Sequence, residues 1–119
     1  MPKIREDLDF KTFSIRNRIR CESESGFNHK LNSWSSSDWL TAVVGELGEA
    51  ANIIKKLNRV RDNIPGNKET EIELKDKLKY ELADTFIYLD LLIQSLDLSI
   101  EDIIQEKFEI TSEKIGYKG

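Results

Sequence analysis

The chain reads as an all-α protein with a four-helix bundle-like architecture, and three observations predict it. Apolar residues recur at three- and four-residue intervals in four separate stretches, and no isolated alternating strand pattern occurs. The only prolines are Pro2 and Pro65, so the periodic stretches run without an internal breaker. A hydrophobic content of 39% beside 34% charged residues suits a soluble helical domain and not a disordered chain. At 119 residues the chain is long enough for one domain with a modest core, taken as residues 1–119.

The first helix is expected over roughly Leu8 to Cys21, where Leu8, Phe10, Phe13, Ile15 and Ile19 are loosely spaced at helical intervals. A Ser- and Asn-rich segment from Glu22 to Ser37, containing Gly26, His29 and Trp34, reads as a loop. Loops of that length in a small domain are often functional. Serines 35–37 can cap the second helix, and Asp38 favours the positive end of its dipole. Its expected core stripe is Leu40, Val43, Val44, Leu47, Ala51, Ile54 and Leu57. Gly45 and Gly48 each cost about 1 kcal/mol relative to alanine inside a helix, which suggests close approach by another backbone or a ligand.

Ile64-Pro65-Gly66-Asn67 is the clearest turn signal. The third helix is expected from Asn67 or Thr70, with Thr70 and Glu73 matching a capping box. Leu74, Leu78, Leu82, Phe86, Leu89 and Ile93 mark its core positions, and beyond Asp84 it becomes apolar nearly all round. A helix apolar on most faces is buried on most faces, so a subunit interface is expected there. The fourth helix opens at Ser99, with Asp102 completing an imperfect capping box, and ends before Gly116. The short link at Asp97-Leu98 makes the third and fourth helices antiparallel neighbours.

Charge and composition narrow the function. The net charge of −4 offers no basic surplus for a nucleic-acid duplex, although a small phosphorylated ligand needs only a local positive site. The lone Cys21 allows no intrachain disulfide, and with His29 the lone histidine, a His-rich or Cys/His metal site is excluded. The charged opening Met-Pro-Lys-Ile-Arg-Glu-Asp has no apolar core of a signal peptide, and no run approaches a membrane span. The expected location is the cytoplasm.

Two acidic pairs carry the chemistry: Glu46-Leu-Gly-Glu49 and Glu81-Leu-Ala-Asp84. The i, i+3 spacing puts both carboxylates of a pair on one helix face, where like charges repel unless a positive group sits between them. No Lys or Arg lies one helical turn from Glu46, Glu49 or Asp84, and Glu81 has only Lys77. Two such pairs on packed helices would make a four-carboxylate site for a hard cation. Magnesium is favoured, since it binds a few carboxylates together with substrate phosphates; calcium or manganese would accept the same ligands. A di-iron bundle would need a Glu-x-x-His motif on each of two helices, and none is present.

Asn52 and Lys56 follow Glu49 on roughly the same side of the helix, with Lys55 and Arg59 nearby. A cation site beside ammonium and amide groups is one way to hold a polyphosphate. The same lysines equally complement the helix C-terminal dipole. Tyr88, seven residues after Glu81, is placed either to line a ligand pocket or to sit in an interface. Trp39 reads as core, whereas Trp34, in the polar loop with His29, is a candidate for stacking on a base.

These residues resemble the MazG-like members of the all-α nucleoside triphosphate pyrophosphohydrolase superfamily. The resemblance rests on Gly-Glu46-Leu-Gly-Glu49-Ala and Glu81-Leu-Ala-Asp84-Thr-Phe-Ile-Tyr88-Leu, and extends from about Phe27 to Tyr117. It takes in the Trp34-to-Trp39 lead-in, Asn52-Ile-Ile-Lys55-Lys56, Lys107-Phe108 and Ser112-to-Tyr117. It implies Mg²⁺-dependent cleavage of a nucleoside triphosphate between the α and β phosphates, in a helical homodimer or homotetramer that trims the nucleotide pool. Glu46, Glu49, Glu81 and Asp84 would bind metal, with Glu49, beside Glu46, orienting the attacking water. Asn52, Lys55 or Lys56, and Lys114 would meet phosphates, and Trp34, His29 and Tyr88 the nucleoside. Gly45 stands where some members carry a third acid, and Glu109 where related phage-type sequences tend to have Asn. The alternative from another class is a catalytically silent helical binding or regulatory module with a structural metal site.

Overall fold

The computed structural model describes Pro2, Ile4 and residues 8–119, and among these the secondary structure is helical. Apart from Pro2 and Ile4, the charged opening at residues 1–7 lies outside the described residues. The helices are α1 (Phe10–Glu22), α2 (Ser36–Arg61), α3 (Glu71–Ser95) and α4 (Ile100–Ile115), with a single 3-10 turn at Leu31–Ser33. The chain divides into two compact units. One comprises the residues up to Ser36 together with Asp90–Gly119, and the other is Ser37–Leu89.

In the first unit, Asp9 caps α1 by accepting a hydrogen bond from the Thr12 amide at 2.7 Å. The helix packs against α4 and the 3-10 turn. Its buried side chains are Asn17 and Cys21; Ile15 and Ile19, expected on the apolar face, lie exposed. The reason is Asp90, which is fully buried. Its carboxylate accepts from Ser14 Oγ at 2.6 Å, Asn17 Nδ2 at 3.0 Å and Gln94 Nε2 at 2.9 Å. A buried carboxylate needs such donors, so the face of α1 that carries them turns inward. Leu31, Leu91, Ile93 and Ile100 complete this core. Gly26 is required by close approach: a Cβ there would overlap the Arg20 carbonyl, which already accepts from the Phe27 amide. Gly116 ends α4 in the left-handed region at φ 74°, as the sequence expects.

In the second unit, α2 and the first part of α3 run antiparallel. Trp39 meets Tyr88 at one end, and Lys56 meets the α3 side of the connecting turn at the other. The core is Trp39, Val43, Ala50 and Leu74. This corrects the expected α2 stripe: Leu40, Val44 and Leu47 are 51%, 58% and 51% exposed, and Ile54 is exposed as well. The helix has two adjoining apolar strips, and the described residues cover only the one that carries Trp39. The space around Gly45 and Gly48 is open, with nothing within 4 Å of an added Cβ, so among the described residues no other backbone makes the close approach their sequence suggested.

The turn between α2 and α3 is tightly tied. Asn63 takes a left-handed conformation at φ 55°, the Ile64 amide donates to the Arg59 carbonyl, and Asn67 Nδ2 donates to the Lys56 carbonyl at 2.8 Å. Arg59 donates to the Pro65 carbonyl at 2.6 Å. Thr70 and Glu73 form the expected capping box, each side chain bonding the other's amide.

Replacing Asp90 with Ala strands the buried Asn17 amide and takes the acceptor from two part-buried donors, Ser14 and Gln94, and is expected to cost about 3 kcal/mol. Urea denaturation of wild type and variant measures it; an unchanged midpoint would contradict the role given to Asp90.

Candidate metal centre

Both acidic pairs belong to the α2–α3 unit, and the antiparallel arrangement brings them together. One carboxylate oxygen each from Glu46, Glu81 and Asp84 lies within 4.8 Å of the others. Glu46 and Glu81 are half-buried and Asp84 is exposed. Glu49 is outside that group of three but stands against Glu81. Its carboxyl is pushed above the ordinary glutamate range, first by a hydrogen bond to Glu81, then by the Glu81 charge, partial desolvation and the Asp84 charge.

The donor set fits a hard cation. Glu81 Oε2 is buried and meets no hydrogen-bond donor among the described residues. A buried anionic oxygen surrounded by other carboxylates is unfavourable unless a proton or a cation joins it. Oxygen ligands of this kind suit Mg²⁺ or Mn²⁺. Lys77, the one basic side chain that the sequence puts within reach of Glu81, is engaged elsewhere.

That engagement involves a residue that sequence reasoning did not single out. Glu69, in the turn before α3, accepts from Lys56 Nζ at 3.1 Å and from Lys77 Nζ at 3.4 Å, both on Oε2. The pairing with Lys56 is the main reason the Glu69 carboxyl lies below its ordinary range. Lys55 and Asn52 are exposed on α2. Tyr88 is half-buried, its ring tilted against Trp39 at a centroid distance of 6.5 Å.

The other candidate residues belong to the other unit. The His29 and Trp34 rings pack edge to face at 4.7 Å. Trp34 lines a cavity of about 630 Å³ together with Arg18, Lys30, Asn32 and Gln94. Lys114 sits in the last turn of α4. Cys21 is buried, donates to the His29 carbonyl at 3.1 Å, and has its thiol pushed up chiefly by burial, which fits a structural residue.

No family model matches the chain, and no curated protein or solved structure matches it either. Among the described residues, no helix is long and apolar enough to cross a membrane.

The raised Glu49 carboxyl fixes the sign of a pH effect. A carboxyl that binds its proton more tightly in the folded state adds stability below its unfolded pKa, and that contribution disappears as pH rises through the folded value. In metal-free protein, Glu49→Gln is therefore expected to raise the Tm at pH 7, with the gain vanishing below about pH 4, where glutamate is protonated in both states. Mg²⁺ should raise the wild-type Tm at pH 7 and raise that of the variant less. Scanning calorimetry at the two pH values checks both; a lower metal-free Tm for the variant at pH 7 would contradict the crowding of carboxylates.

Proposed function

We propose that the chain is a magnesium-dependent pyrophosphohydrolase that converts a nucleoside triphosphate to a monophosphate and pyrophosphate. The supporting observation is the convergence of Glu46, Glu81 and Asp84, with Glu49 against Glu81. In this reading these four carboxylates hold Mg²⁺, with Mn²⁺ as a substitute. A magnesium ion bound there supplies charge neutralisation for the phosphate oxygens and a more acidic water.

The chain's own groups do the rest. Glu49, exposed and with its proton affinity raised by Glu81, orients the attacking water and accepts its proton as water adds across the α–β anhydride bond. Lys56, with Asn52 and Lys55 on the same helix, neutralises phosphate oxygens. Tyr88, in the same unit as the carboxylates, remains the proposed contact for the nucleoside, by resemblance to the MazG-like pattern. We place the protein in the cytoplasm, where nucleotides are its substrates.

The exposed strip on α2 supports self-association. Leu40, Val44, Leu47 and Ile54 share one face, and a contiguous apolar strip of this kind is normally covered by a partner. The partner in this reading is a second copy. The end of α3, which the sequence marks for an interface, is partly occupied already, since Leu91 and Ile93 are buried in their own unit.

Pyrophosphate release measured over a panel of nucleoside triphosphates with Mg²⁺ tests the activity. Turnover should stop with a chelator, and Glu49→Gln should lower it about 100-fold or more while helix content is kept. No release from any nucleotide would favour a silent helical module instead. Light scattering tests the assembly: the wild type should be at least a dimer, and Val44→Glu with Leu47→Glu should shift it to monomer. A monomeric wild type would contradict the covered strip.

A further inference from the structure

Lys56 and Lys77 come from different helices, yet their ammonium groups share one oxygen of Glu69. On α3, Lys77 is one turn before Glu81, about 6 Å along the axis; on α2, Lys56 is two turns after Glu49, about 10 Å along. Both lysines thus lie toward the turn from the acidic cluster, on the two helices that build it. Two cations beside a metal-binding set of carboxylates complement the charge pattern of a linear polyphosphate, whose oxygens can meet a cation at one end and ammonium groups further along.

We propose that Lys56 and Lys77 form a subsite for a polyphosphate tail, and that Glu69 is its resident counter-ion, displaced when the anion arrives. This rests on the proposed hydrolase reading and extends it to a residue pair bridged across the helices. The arrangement suits displacement. The lysine side chains are 40% and 57% exposed, so phosphate can reach them, and ion pairs at such exposure hold weakly. The Glu69 carboxylate is only 16% exposed, and the backbone on either side of it is tied by the Asn67 bond to Lys56 and the Thr70 cap. It keeps the lysines in place when no phosphate is bound and prevents their like charges from driving them apart.

The probe is inorganic tripolyphosphate, titrated calorimetrically into the full chain without divalent ions. Lys77→Ala should weaken binding and Glu69→Gln should tighten it, each by up to about five-fold, the scale of one exposed ion pair. Lys77→Arg should keep most of the affinity. Lys77 is exposed, so its two variants carry the test even if the Glu69 change disturbs the turn. In the turnover assay, Lys77→Ala should raise KM and Glu69→Gln should lower it. Unchanged tripolyphosphate affinity in both Lys77→Ala and Glu69→Gln, or no binding to wild type, overturns the subsite even in an enzyme that cleaves nucleotides. The expected affinity changes in a chain without turnover leave the subsite standing and remove the hydrolase reading.

Discussion

Repulsion between carboxylates is the constraint on which the α2–α3 unit depends. Folding brings Glu46, Glu49, Glu81 and Asp84 together on α2 and α3, and among the described residues no ion pair to a lysine or arginine is seen for them. The nearby lysines that could have formed one are drawn toward the turn by Glu69. Such an arrangement costs stability in the absence of a cation. This clustering, with the buried and unpartnered Glu81 Oε2 belonging to it, is why a cation-dependent function is the reading we favour.

The other unit resolves a similar difficulty differently. Asp90 is more deeply buried than any member of the acidic cluster, yet hydroxyl and amide donors satisfy it. Its network ties α1 to the end of α3 and leaves no orphaned carboxylate oxygen. On α4, Asp102, Glu106 and Glu109 follow one another along an exposed face, where water screens them. The three acidic settings differ in solvation and partners, and the one formed by Glu46, Glu81 and Asp84 brings three carboxylate oxygens together.

Much of the fold was legible because its signals are local. The Thr70–Glu73 capping box and the stop at Gly116 depend on residues a few positions apart, and both appear in the structure, whereas the Pro65-Gly66 signal falls in the α2–α3 connection just after the hydrogen-bonded turn at Asp62–Asn63. The acidic pairs were legible for the same reason, since i, i+3 spacing fixes a shared face. Which apolar strip of α2 turns inward was not. Leu40, Val44 and Leu47 fit helical periodicity as well as Trp39, Val43 and Ala50 do, and periodicity does not say which strip the chain itself covers. Asn17 and Asp90 pair across 73 positions, and Glu69 acts from a turn, so neither carries a periodic or motif signal.

The proposed function requires a divalent ion held by carboxylates from both α2 and α3. Paramagnetic broadening by Mn²⁺ of amide signals in isotopically labelled protein tests it most directly. Saturable broadening centred on Glu46, Glu49, Glu81 and Asp84, reversed by excess Mg²⁺, is the expected result. Broadening centred instead on Asp102, Glu106 and Glu109, or spread over the acidic surface without saturation, would contradict it.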